Sequence, residues 1–187
     1  MHTTPPSLLE RLARTPEQAA WGKFIDMYTP LLFAWGRRLG LSEHDAADLV
    51  QDLLTVLVEK LPTFQYDATK SFRAWLKTIL LNRWRNLQRK RANENLTGNI
   101  AVEQLASPEE AVEFEEAEYR RYLVRRALEL MQAEFPAVTW KACWQYLVLD
   151  RPATEVAAEL KISVNVVYLA KSRVLRRLRE ELAGLLD

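Results

Sequence analysis

Apolar side chains recur at helical spacing along nearly the whole chain, and the breaks in that period divide it into elements. Ser7 to Arg14 reads as a short helix, and Thr15-Pro16-Glu17 is a start signal, with Thr as cap and Pro in the first turn. The helix that follows carries Ala20, Trp21, Phe24, Ile25 and Tyr28 on one side and is expected to break near Pro30. A further helix through Leu31, Leu32, Trp35 and Leu39 ends at Gly40. Ser42 and Asp45 stand in capping-box spacing at the head of a segment that runs to Pro62. In that segment Leu49, Leu53, Val56, Leu57 and Lys60 point inward, while Asp45, Asp48, Asp52 and Glu59 mark another face. A polar-aromatic loop from Phe64 to Ser71 leads into the stretch Phe72 to Arg91.

In that stretch Phe72, Trp75, Leu76, Ile79, Leu80, Trp84 and Leu87 form one stripe, the kind that docks on a core. Between Lys70 and Arg91 there are eight basic side chains and no acidic one. On a wheel of about 100° per residue, Thr78, Asn82, Arg85 and Arg89 fall opposite the stripe. Amide and guanidinium groups projecting together suit a phosphate backbone with base edges beside it; a solvated basic helix is the plain alternative.

Periodicity is lost after Arg91, where Asn93, Asn95, Gly98, Asn99 and Ser107-Pro108 mark a linker. Glu109 to Glu134 then reads as a long amphipathic helix closed by Pro136, and Val138 to Leu149 as another, anchored by Trp140, Trp144, Leu147 and Val148. Arg151 to Leu160 is a short helix, Lys161-Ile162-Ser163 a tight turn, and Ser163 a cap for the next helix. This is helix-turn-helix grammar. Val164, Val167, Ala170, Val174, Leu175 and Leu178 make the buried side of the second helix, leaving Asn165, Tyr168, Leu169, Ser172, Arg173 and Arg176 to face a major groove. Leu169 suits a thymine methyl there, or else packs on a neighbouring helix.

Composition narrows the choices. A chain of 187 residues, 49% hydrophobic and 27% charged, supports one or two small domains. Five glycines and no GxxxxGK pattern leave nucleotide binding through a backbone cradle without support. The single cysteine, Cys143, lies in an apolar run and reads as a small core residue. With no signal-like start and no stretch near the ~18 apolar residues of a membrane span, the expected location is the cytoplasm. The net charge is only +1, but sign is segregated. Glu103, Glu109, Glu110, Glu113, Glu115, Glu116 and Glu118 lie in a stretch, Ala92 to Tyr119, without a basic residue, and Lys161 to Arg179 is basic without an acid.

Three stretches together resemble sigma factors of the sigma-70 family, in particular the small extracytoplasmic-function (ECF) group. They are DLVQDLLTVLVEKLPTF from Asp48, FRAWLKTILLNRWRNLQRKR from Phe72, and ATEVAAELKISVNVVYLAKSRVLRRLREEL from Ala153. The resemblance covers nearly the whole chain. It implies an all-α protein of two small helical domains: residues 1–91 resembling sigma region 2, and residues 111–187 resembling region 4, joined by an acidic linker at 92–110. It assigns Asp48, Gln51, Asp52 and Thr55 to the contact with core RNA polymerase. Phe64, Lys70, Lys77, Asn82, Arg83, Arg85, Asn86, Arg89 and Lys90 would serve the melted minus-ten element, with Asn82 reading a flipped base. Ser163, Asn165, Tyr168, Leu169, Ser172, Arg173, Arg176 and Arg177 would serve the duplex minus-thirty-five element.

Trp75, in the middle of the apolar stripe, is expected in the core rather than stacked on a base. The glutamate run would mimic phosphate in a polymerase channel, or serve only as a solubilising linker or an exposed acidic helix face. The implied partners are core RNA polymerase, promoter DNA and, where one exists, an anti-sigma factor; no cofactor, metal or catalysis by the chain is implied. Lys161 stands where the family often has glycine, so the turn is expected to form without a positive φ. Two other readings compete: a stand-alone helix-turn-helix DNA-binding regulator, and a hydrolase with His44, Asp45, Asp48 and Asp52 as a metal cluster.

Overall fold

The structure, a computed structural model, describes residues 7–14, 17–63, 71–94 and 116–186. Eight α-helices and two single 3-10 turns account for its regular structure, with no strand among the described residues. They are α1 (Leu8–Arg14), α2 (Gln18–Arg38), α3 (Glu43–Lys60), α4 (Phe72–Glu94), α5 (Glu116–Leu130), α6 (Ala137–Leu147), α7 (Ala153–Leu160) and α8 (Val164–Glu181). The expected cap at Thr15-Pro16, the start of the long helix at Glu109 and most of the acidic linker lie outside the described residues.

One expectation fails at Pro30. Helix α2 runs through it without interruption. A proline inside a helix removes one N–H and so orphans the carbonyl four residues back, here that of Asp26. The guanidinium of Arg126 on α5 fills the gap, its Nε donating to Asp26 O at 3.1 Å. One residue further on, Tyr122 Oη donates to Met27 O at 3.0 Å. The proline thus becomes a docking point for α5. Helix α2 ends in a Schellman turn: Gly40 takes φ 79°, Gly40 N–H donates to Arg37 O and Leu41 N–H to Gly36 O. Ser42 then caps α3, accepting from Asp45 N at 3.1 Å.

The first and last thirds of the chain share one continuous core, containing Phe24, Tyr28, Leu53 and Phe72 together with Tyr119, Leu123, Trp140 and Leu178. Its polar seam is buried. Tyr28 Oη and Tyr119 Oη are 2.9 Å apart, and Tyr119 Oη donates to Leu185 O at 3.2 Å. A hydroxyl has one proton, so Tyr28 donates to Tyr119, which donates onward. Burial holds both phenols above their ordinary value, so each stays a neutral donor. Beside them Arg73 lies over the Tyr119 ring at 5.3 Å. At the edge of the seam the carboxylate of Glu181, fully buried, accepts from Arg11 Nη2 (2.5 Å), Lys23 Nζ (3.0 Å) and Arg177 Nη1 (2.9 Å). Burial alone would push Glu181 up, but the Lys23 hydrogen bond and the three positive charges outweigh it and hold it below the usual carboxylate range.

Helices α6, α7 and α8 add a small second core of Ala142, Ala153, Val156, Ala157, Val167 and Ala170. The turn between them departs from expectation: Lys161 does take positive φ, 54°, with Ile162 N–H donating to Ala157 O at 3.0 Å. The turn's geometry needs a left-handed residue and the lysine accepts the strain. Two side chains expected inward, Ile25 and Lys60, are exposed. Cys143 is in the core as expected, its thiol pushed up to about 11 by burial.

Two stability outcomes follow. Lys161→Gly relieves a strained φ, partly offset by a looser unfolded chain, and should raise the urea-unfolding free energy by up to about 1 kcal/mol. Glu181→Gln leaves three cations facing a neutral group and should cost about 3 kcal/mol at neutral pH. Because the folded carboxyl titrates below its unfolded value, near 4.3, this stabilisation is complete above that pH and is lost as pH falls through the folded value. Acid titration of the wild type followed by circular dichroism should show that loss, and the variant should lack it.

Candidate nucleic-acid interface

Helix α4 is anchored by its first three turns, where Phe72, Leu76, Ile79, Leu80 and Leu81 are buried. Phe72 meets Phe24 and Tyr28 edge-on, at 6.2 and 5.8 Å. Trp75, half-buried, lies 5.5 Å from Phe72 and packs on the core, as expected for it. Past Leu81 the helix carries its charge outward in two rows. Thr78, Asn82 and Arg89 are exposed on one, with Arg85 half-exposed between them and its Nη1 donating to Asn82 Oδ1 at 3.4 Å. The other row, Arg83, Asn86 and Lys90, turns toward α3 and lines a groove with Asp45, Asp48 and Asp52 opposite.

That groove joins two sets of residues which the sequence separates. Arg83 Nη1 lies 3.2 Å from Asp52 Oδ2, and Arg91 pairs with Asp45. The Asp45 carboxyl is held below its usual range by hydrogen bonds from Arg91 and Ser42. Asp48, Gln51, Asp52 and Thr55 share one exposed face of α3. Thr55 Oγ1 donates to Gln51 O at 3.0 Å, and Asp48 lies 3.4 Å from His44. Asp45 and Asp52 of α3 are therefore matched to arginines of α4, and among the described residues no group of three or more His, Cys, Asp or Glu side chains is placed to hold a metal. Of the basic-helix candidates, Asn82, Arg85 and Arg89 share one row, Arg83, Asn86 and Lys90 border the acidic groove, and half-buried Lys77 sits a turn before Leu81. Phe64 and Lys70 lie outside the described residues.

On α8 the outward row is as expected. Asn165, Tyr168, Leu169, Ser172, Arg173 and Arg176 are exposed, over a side closed by Val167, Ala170 and Val174. Sequence reading missed Val166, also exposed at the start of the row; an alternation of valines gives no hint which one faces out. Two candidates are otherwise engaged. Ser163 Oγ caps the helix, accepting from Val166 N at 3.3 Å. Arg177 pairs with Glu134 (3.1 Å) and Glu181 (2.9 Å) at the seam. Helix α7 is tied down by Arg151, which donates to both Glu159 and Gln145, with Gln145 Nε2 donating to Glu159 at 2.8 Å. Those bonds from Arg151 and Gln145 hold the Glu159 carboxyl below its usual range.

Residues 24–94 match the family model described as Sigma-70 region 2. The sigma factor NccH of Alcaligenes xylosoxydans xylosoxydans is 37% identical over 89 residues, 46% of this chain and 47% of that protein. The sigma factor CnrH of Cupriavidus metallidurans is 30% identical over 186 residues, 96% of this chain and 93% of that one. A solved structure of CnrH in complex with the cytosolic domain of CnrY covers 91% of this chain and 92% of its own, at 24% identity and a TM-score of 0.38.

The different surroundings of two neighbouring arginines give a simple check. Arg177→Ala should lower the unfolding free energy by about 1–2 kcal/mol, because it opens a partly buried ion-pair cluster. Arg176→Ala, on the exposed row, should stay within about 0.5 kcal/mol of wild type in the same thermal and urea melts.

Proposed function

The chain belongs to the sigma-70 family of RNA polymerase sigma factors, in its ECF group, and we propose how its two basic helices divide the work. It is a sigma factor that associates with core RNA polymerase and directs promoter-specific initiation. In the proposed division, the α4 row Asn82, Arg85 and Arg89 takes the melted non-template strand of the minus-ten element. Guanidinium groups neutralise its phosphates and the Asn82 amide reads an unstacked base. The α8 row Asn165, Tyr168, Leu169, Ser172, Arg173 and Arg176 enters the major groove of the minus-thirty-five element.

Asp48, Gln51, Asp52 and Thr55 meet polymerase. Since Asp52 is already paired with Arg83, polymerase docking would also change the setting of that arginine. Phe64 and Lys70 belong to the same minus-ten assignment, and Lys77, Arg83, Asn86 and Lys90 support it from the flank. Ser163 and Arg177 act through the cap and the seam rather than at the groove. The polypeptide itself carries out no catalysis in this reading and works in the cytoplasm; no described helix is long and apolar enough to cross a membrane. ECF membership brings an anti-sigma partner into the same proposal. The observation that carries the division is that each basic helix buries its apolar side while exposing amide and guanidinium groups in one row.

Run-off transcription with purified core polymerase on a promoter library tests it. A product that requires this chain is expected. Asn82→Ala should weaken selection on the melted strand, and Arg173→Ala should weaken upstream duplex binding by about 1–3 kcal/mol, with affinity falling steeply as salt rises. Unchanged promoter choice in both variants would reject the residue assignments.

A further inference from the structure

Leu169 is 47% exposed on the reading side of α8, with Tyr168 equally exposed beside it and Val166 at 40%. Its other helical neighbours on that side are polar: Asn165 stands one turn before beside Val166, Ser172 and Arg173 one turn after, Arg176 two turns after, all exposed. No acidic residue occurs from Lys161 to Arg179, so nothing on the first four turns of the helix repels phosphate. An apolar side chain at the centre of a hydrogen-bonding row breaks that row in water, where it gains nothing from exposure. Tyr168 is also not loose. Its ring meets Tyr146 of α6 edge-on at 5.8 Å and 81°, and the Lys171 ammonium sits 5.1 Å from the Tyr146 ring centre. Leu169 thus follows a braced aromatic residue in the sequence and has hydrogen-bonding side chains one turn away on either side.

A duplex presents one apolar group in its major groove, the 5-methyl of thymine. We propose that Leu169 reads a thymine methyl in the upstream promoter element, so that this step is selected by apolar contact and its neighbours by hydrogen bonds from Asn165 and Arg173. The inference rests on the assignment of α8 to the duplex upstream element. It adds that recognition there depends on a methyl group, and names the side chain that senses it.

The test uses holoenzyme assembled from core polymerase and the full chain, bound to a duplex promoter that the holoenzyme itself has selected from a random library. Each thymine of the upstream element is replaced in turn by deoxyuridine, which keeps base pairing and the O4 acceptor but lacks the methyl. With wild-type chain, one or two positions should lose about fourfold in affinity, the worth of one buried methyl. With Leu169→Ala the same deoxyuridine duplexes should bind within twofold of their thymine parents, although the variant binds the parents more weakly. Because Leu169 is exposed, its removal leaves the fold intact, checked by an unchanged melting curve. If wild-type holoenzyme binds the upstream duplex but ignores every deoxyuridine, or the penalty persists in Leu169→Ala, methyl reading is overturned. Equal weakening of Leu169→Ala on templates with and without the upstream element would instead place the leucine against polymerase and overturn it too. If the upstream duplex contributes nothing to binding, the assignment of α8 to that element fails first.

Discussion

The buried polar seam between the first and last thirds of the chain sets where everything else lies. Tyr28, Tyr119 and the Leu185 carbonyl form a one-way chain of donors, and Glu181 gathers cations from α1, α2 and α8 around one carboxylate. Such groups cost free energy when buried unless each has a partner. They therefore specify one arrangement of helices more sharply than apolar contacts alone would. With α5 fixed across α2, the two basic helices are carried by a common body, and neither has to spend its outward face on packing.

The seam also explains why proline sits in mid-helix. At Pro30 a local rule predicts a break, and local rules see only the lost hydrogen bond. What they miss is Arg126, 100 residues after Asp26, whose guanidinium supplies the missing donor. Lys161 repeats the lesson: packing of α7 against α8 dictates a left-handed turn, and the residue conforms although its side chain disfavours it. In both cases the tertiary arrangement overrides a backbone preference worth a few kcal/mol at most.

The helical architecture was legible because the apolar period runs through α3, α4 and α8 with few exceptions, and because Ser42, Gly40 and Ser163 are strong end signals. The outward row of α8 was legible for the same reason. A helical wheel, however, gives an angle and not a neighbour. Arg83 and Arg177 lie at angles that suit a ligand, yet face Asp52 and Glu134, which only the folded chain brings near. The tyrosines of the seam were invisible in another way: Tyr28 and Tyr119 each look like ordinary aromatic residues on an amphipathic helix, and nothing in either segment announces the other.

One continuous core also fixes a reach. A compact chain of this length has a radius of gyration of about 16 Å, giving a body some 40 Å across. Promoter elements whose names place them about 25 base pairs apart are separated by about 85 Å on straight duplex at 3.4 Å per step. A body that short is smaller than the distance between the marks, so to hold both at once it would have to open along the tyrosine and glutamate line. The polar groups on that line are ones that water can satisfy in their place, which lets the halves part without stranding a charge or a hydroxyl.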